Sequence, residues 1–184
     1  MLRNLGYIAI VALIALLCSQ PTLAQTGLGA NHDLTANAVV YLPLSISSPV
    51  NFTFGNIMVG GNPTVNPKTG VATSIISGSS VGGLQVAGSA AAKVIFTFAS
   101  PITLNGPSSN TLIYVPSVTG GDVGAPTSSA VLTSGSTAVT LTGGNCQAWV
   151  GGELFKSDGT SPVPTNQATG TYSGTLNLAV DYYQ

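Results

Sequence analysis

The chain has 184 residues, a net charge of −1 and only 5% charged side chains, against roughly a quarter in an ordinary globular domain. Its four Lys and Arg do not make the basic footprint by which proteins hold nucleic acid or anionic membrane surfaces. Hydrophobic residues make up 44% of the chain and alternate, which excludes a disordered polymer; solubility rests on Ser, Thr, Asn and Gly, as suits an exported β-rich protein or one that associates with its own copies.

Residues 1–24 read as a secretory signal peptide. Arg3 supplies the positive start, an apolar run follows from about Gly6 to Leu17, and small residues stand at Thr22 and Ala24 before the cleavage point. The run is shorter than the ~20 residues that span a bilayer, so no stable membrane span is expected after processing. Cys18 follows Leu17, not the small residue that a lipoprotein signal wants. Residues 25–33 are Gly-rich and polar, and a flexible tail is expected there. The sole histidine, His32, falls in this tail and is expected to be solvated rather than a ligand or base.

From Leu34 to the end, strand signals dominate and a single β domain over 34–184 is expected. Leu34–Ile46 is an apolar strand with Pro43 marking an edge or bend. Val50–Val59 is a second strand, with Gly55 as a bulge. Thr64–Asn66 and Val71–Ser77 are joined by the turn Pro67-Lys-Thr-Gly70. Gly83–Gly88 and Ala92–Ala99 follow, the latter with Val94, Phe96 and Phe98 on one face. Ile102–Leu104 and Thr111–Val115 come next, then a loop over Thr119–Pro126. Ala130–Thr133 and Ala138–Leu141 read as hairpin arms around Ser134-Gly-Ser136, and Gln147–Phe155 as a further strand. No window of the domain has a helical period, so the fold expected is an all-β antiparallel sandwich.

The stretch Gly170–Gln184 is the most regular of all. Tyr172, Gly174, Leu176, Leu178, Val180 and Tyr182 share one face, and Ser173, Thr175, Asn177, Ala179, Asp181 and Tyr183 the other. It reads as one long half-buried strand. Such a strand needs a partner, because unpaired edges template further pairing. Tyr172, Leu176, Leu178, Val180 and Tyr182 are therefore the candidate assembly residues.

Three blocks carry a resemblance: Pro43-Leu-Ser-Ile46 with Phe52-Thr-Phe-Gly-Asn-Ile57 and Gly60-Gly61, then Val150-Gly-Gly-Glu-Leu-Phe155, then Gly170-Thr-Tyr-Ser-Gly through Tyr182. Together, over Thr35 to Tyr182, they resemble a bacterial secreted family catalogued as domain of unknown function 4402. The resemblance implies an exported β-sandwich and carries no activity with it. The C-terminus also resembles chaperone–usher pilus subunits, which implies an immunoglobulin-like, pilin-like architecture. Gly170 and Tyr183 match those subunits by position, but here Tyr182, not Tyr183, lies on the apolar face, and a one-residue slip exchanges faces.

Chemistry is sparse. Cys146 is the only cysteine left after processing and is expected as a small buried apolar residue, with an intermolecular bridge or a free thiol as the alternative. Asp33, Asp122, Glu153, Asp158 and Asp181 show no spacing that pairs two carboxylates for glycoside hydrolysis. Trp149 is expected in the core, with a sugar-stacking platform as the alternative. No catalytic, cofactor-binding or metal site is assigned. The expectation is an exported, non-enzymatic structural or adhesive surface protein, fimbria-like and self-assembling by β-strand addition, with the segment Gln25–Leu42 as a donor. Its partner would be a second copy or another surface protein. The alternative is a carbohydrate- or matrix-binding module built on Trp149.

Overall fold

The computed structural model describes residues 38–184. In chain order its strands are β1 (Ser45–Val50), β2 (Asn56–Ile57), β3 (Thr64–Val65), β4 (Ala72–Thr73), β5 (Ile75–Ser77), β6 (Gly82–Ala87), β7 (Lys93–Phe98), β8 (Ile102–Asn105), β9 (Thr111–Gly121), β10 (Ala130–Val131), β11 (Ala138–Thr140), β12 (Asn145–Lys156) and β13 (Leu178–Tyr182). Among the described residues, helical structure is confined to the short 3-10 turns Pro107–Ser109 and Pro126–Ser128. No helix among them is long and apolar enough to cross a membrane.

The domain is an all-β sandwich with antiparallel pairing throughout. Its larger sheet has eight strands and is built on β9 and β12, which pair from Gln147 with Gly121 to Lys156 with Leu112. On the far side of β12 lie β6 and then β1, and, further along, β3 and β4. On the far side of β9 lie β8 and β10. The smaller sheet has three strands in the order β11-β7-β13.

Alternation explains the core. Cys146, Ala148 and Val150 of β12 face inward, as do Val86 of β6 and Val118 of β9. They meet Val94 and Phe96 of β7 and Val139 of β11 across the sandwich. A second cluster joins Phe54, Val65, Leu104, Leu112, Tyr114, Leu154 and Val163. Here no strand of the smaller sheet lies overhead. Packed against this cluster are Tyr172 and Leu176, on the chain leading into β13, Phe52 after β1, Val81, and Ile57 and Ile75 of the two-stranded β2-β5 pair.

Four local expectations are corrected. The Ala130–Leu141 stretch is not a hairpin: β10 pairs with β9 and β11 with β7, so the chain changes sheets between them. Leu132, 5% exposed, drops into the core at the crossing. The strand starting at Thr111 does not stop at Pro116 but runs to Gly121. Proline is tolerated there because β8 neighbours β9 only before Pro116 and β10 only after it. Val50–Val59 is not one strand. Strand pairing stops at Val50 and resumes only at Asn56–Ile57, after Gly55, whose φ of +68° and close approach to the Ser77 carbonyl and Gly78 backbone require glycine. The C-terminal strand is shorter than its alternation suggests, and its ladder covers only Leu178–Tyr182. Its neighbour β7 ends at Phe98, opposite Leu178, so upstream residues have no ladder to join. Ser173 instead bridges to Asn105 at the end of β8.

Candidate functional site

Where the smaller sheet stops short, a groove of about 740 Å³ remains. One wall is the segment from Pro49 to Ile57, and the other is Gly170 to Leu176 with Leu178. The floor is the inner face of the larger sheet, with Leu84, Leu112, Val150 and Leu154.

Aromatic packing builds the first wall. Phe52 stacks on Tyr114 with centroids 5.3 Å apart and an interplanar angle of 15°. Phe54 meets Tyr114 edge-on at 5.5 Å, and Phe52 and Phe54 meet edge-on at 4.7 Å. Such geometries suit the ring quadrupoles. The Tyr114 hydroxyl donates to the Gly151 carbonyl at 2.7 Å, and burial pushes its acidity well beyond the usual tyrosine range.

Tyr172 fixes the second wall. Its ring lies so close over Gly106 that a Cβ there would stand 2.6 Å from its Cζ. Its hydroxyl donates to the Ala168 carbonyl at 2.8 Å and accepts from Gln167 Nε2 at 2.6 Å. Downstream, Leu176, Leu178, Val180 and Tyr182 pack half-buried on the first core cluster, while Asn177, Ala179 and Asp181 between them are exposed. The structure therefore gathers the candidate assembly residues on one line, with Tyr172, Leu176 and Leu178 lining the groove.

The strand ends that reach this groove have one edge without a neighbour among the described residues. Among the described residues, β13 pairs only with β7, and β1 only with β6. Tyr183 donates its N–H to the Lys93 carbonyl at 2.9 Å. Hydrogen-bonded pairs alternate along an antiparallel ladder, so Asp181 and Ala179 bond β7, while Leu178 and Val180 aim their N–H and C=O away from it. β1 is exposed at every position, with Ile46 at 50% and Val50 at 58%.

The opposite end of β13 is closed. The Tyr41 ring stacks on Tyr182 with centroids 4.6 Å apart. The Tyr182 hydroxyl donates to the Leu42 carbonyl and accepts from Ser89 N–H, and Leu42 N–H is bonded to Ser89 Oγ. Tyr41 and Leu42 thus belong to the domain, which removes them from the Gln25–Leu42 donor. Residues 1–24 and the tail 25–33 lie outside the described residues, as does His32.

Trp149 is 7% exposed, inside β12 between Gly83 and Thr119. It presents no outer ring face to a sugar. Cys146 is fully buried in the first cluster, and burial pushes its thiol up to about 11, which leaves little thiolate for bridging or catalysis. Asp158 closes its own turn, accepting from Thr160 N–H at 2.9 Å and Ser161 N–H at 2.8 Å. Hydrogen bonds from the Ser161 side chain and backbone, and from the Thr160 backbone, hold its carboxyl well below the usual carboxylate range.

Phe52, Phe54, Leu104 and Tyr114 are groove residues that sequence reasoning assigned no functional part. The available signal was Phe52-Thr-Phe54, two aromatics on one face directly before a glycine. No protein-family model matches this chain, and no curated protein matches it either.

Proposed function

We propose that the protein is an exported, non-enzymatic structural or adhesive surface protein that works by β-strand addition. The observation that carries this is an apolar-floored groove reached by the ends of two strands, β1 at Pro49 and Val50 and β13 at Leu178, whose outer edges have no neighbour among the described residues. An extended segment laid in the groove and continuing along the outer edge of β13 pairs its backbone with Leu178 and then Val180, and sets alternate side chains on Leu84, Leu112 and Leu154. Backbone bonds give affinity and side-chain fit gives register. The small charge of the chain leaves little repulsion between copies. The signal-like residues 1–24 and the resemblance to a secreted bacterial family support export.

The test is amide hydrogen exchange on the purified chain across a concentration series, with size-exclusion chromatography alongside. Larger species together with slowed exchange at Leu178 and Val180 support strand addition. A monomer at every concentration, or larger species with those amides still exchanging freely, would sink it.

A further inference from the structure

We infer that a second site, on the outer face of the larger sheet, binds a short apolar peptide whose ammonium and carboxylate ends are both free. The site is a trough of about 400 Å³, at the small end of the range for small-molecule pockets. Groove and trough occupy opposite faces of one sheet, so filling the trough leaves strand addition as it stands.

Alternation sets the floor. Tyr114 and Val118 of β9 face the core, so Val115, Ser117 and Thr119 face outward and line the trough. Val131 of β10 stands directly opposite Thr119 and, 62% exposed, forms one rim. The other wall is Val65 to Lys68. It sits low over β12 because residue 151 is glycine: a Cβ there would strike the Val65 carbonyl and Pro67. The turn above it is held in shape by three bonds. Asn66 N–H donates to the Val71 carbonyl at 2.9 Å, Gly70 N–H to the Asn66 carbonyl at 2.8 Å, and Lys68 N–H to Asn66 Oδ1 at 2.9 Å.

The floor holds a hydroxyl that the fold leaves unused. Thr119 is 1% exposed, and its Oγ1 has no hydrogen-bond partner among the described residues. A buried hydroxyl without a partner costs stability, and valine at this strand position would carry no such cost. The oxygen is shielded from bulk water, so a ligand seated on the floor is what completes it. A peptide carbonyl does so by accepting the Thr119 O–H.

The charges lie at opposite ends. The trough's charged residues are Lys68 and Glu153, one of each sign and both half-buried. Glu153 stands opposite Val115. β3 runs antiparallel to β12, with Thr64 opposite Glu153 and Val65 opposite Gly152. The chain beyond Val65 therefore heads toward Trp149, the partner of Thr119, before it returns as β4. This puts Lys68 toward the Thr119 end and Glu153 at the Val115 end. The four steps from Val115 to Thr119 cover about 13 Å at ~3.3 Å per residue. An extended tripeptide covers about 10 Å on the same rise, and the Glu153 and Lys68 side chains close the difference. Its ammonium meets Glu153 and its carboxylate meets Lys68. Its middle rests on Ser117, and small apolar side chains suit Val115, Pro116 and Val131.

The test is isothermal titration calorimetry of the full chain with tri-L-alanine, its N-acetyl form, its C-terminal amide and methyl α-D-glucoside, with thermal unfolding alongside. Tri-L-alanine is expected to bind, and capping either end to weaken binding roughly tenfold, the scale of a lost charge-assisted bond. In Glu153→Gln the acetyl cap makes no further difference, and in Lys68→Met the amide makes none. Thr119→Val is expected to bind roughly tenfold more weakly yet to melt no lower than the parent, because it gives up a hydroxyl that has no partner in the free protein. The inference is overturned if tri-L-alanine does not bind at millimolar concentration, or if capped and free peptides bind alike. A Thr119→Val chain that melts lower, or that binds as tightly as the parent, overturns it too. So does binding of the glucoside that these variants abolish, which makes the trough a polyol site.

Discussion

The Tyr182 hydroxyl donates a 2.6 Å hydrogen bond to the Leu42 carbonyl, 140 residues earlier in the chain. The same oxygen accepts the Ser89 N–H at 2.8 Å. One side chain at the end of β13 thereby pins the entry of the chain and the turn between β6 and β7. Tyr182→Phe keeps the ring and its stack on Tyr41 but removes both bonds. The expected loss is about 1 kcal/mol, read by thermal or urea unfolding, with faster amide exchange at Ser89. Tyr183, 50% exposed next door, is the control: Tyr183→Phe is expected to change stability by less than ~0.5 kcal/mol.

Gly106→Ala tests the groove wall. The added methyl collides with the Tyr172 ring, which must swing away from Gln167 and Ala168. A cost of about 1–3 kcal/mol is expected, together with protease cleavage appearing between Gln167 and Tyr172. Unchanged stability and an intact loop would show that Tyr172 does not hold this wall.

Cys146 gives a pH prediction. Its thiol is raised from 9.0 to about 11 in the fold. A raised thiol pKa means that the native state holds its proton more tightly than the unfolded chain. Stability is therefore independent of this group below about pH 9 and falls from there through about 11. Cys146→Ala is expected to shed that extra slope in unfolding free energy against pH. In a C18A background at pH 8, the native thiol is expected to resist Ellman's reagent and to react on unfolding.

Trp149 is the single tryptophan, so its fluorescence can be assigned without mutation. Burial at 7% exposure predicts blue-shifted emission, weak quenching by iodide and no change on adding soluble oligosaccharides. Trp149→Ala is expected to cost about 3–5 kcal/mol as a core truncation. A quenchable ring that responds to sugar would restore the carbohydrate-binding alternative.

Local pattern suffices where a single sheet face decides where a side chain goes. Period-two alternation marked the inward faces of β7 and β13, because Val94, Phe96, Leu178 and Val180 each answer to one sheet face. The sandwich class was legible for the same reason. Pairing was not. Ala130–Val131 and Ala138–Thr140 look like two arms of a hairpin, yet Leu132 draws the chain across the core and each arm joins a different sheet. Nor can alternation give the length of a ladder: Tyr172 to Asn177 keep the pattern, but β7 ends at Phe98 and offers them nothing to pair with. The groove was legible only in part. Its β13 wall followed from alternation, whereas Phe52, Phe54 and Tyr114 became groove residues through contacts among segments some sixty residues apart.

The pairing of β7 with β13 also sets a clock on folding. Phe96 of β7 stands opposite Val180 of β13, so a chain made from its N-terminus carries this edge of β7 unpaired until residue 180 has been added. At roughly 5–20 residues per second, the intervening 84 residues take about 4–17 s. For that interval the backbone groups of Lys93, Ile95 and Thr97 that face β13 have no partner strand from their own chain, and every wrong strand competes for them at its local concentration. Slower synthesis lengthens the hazard instead of easing it, because no amount of waiting lets β7 finish its sheet before β13 exists.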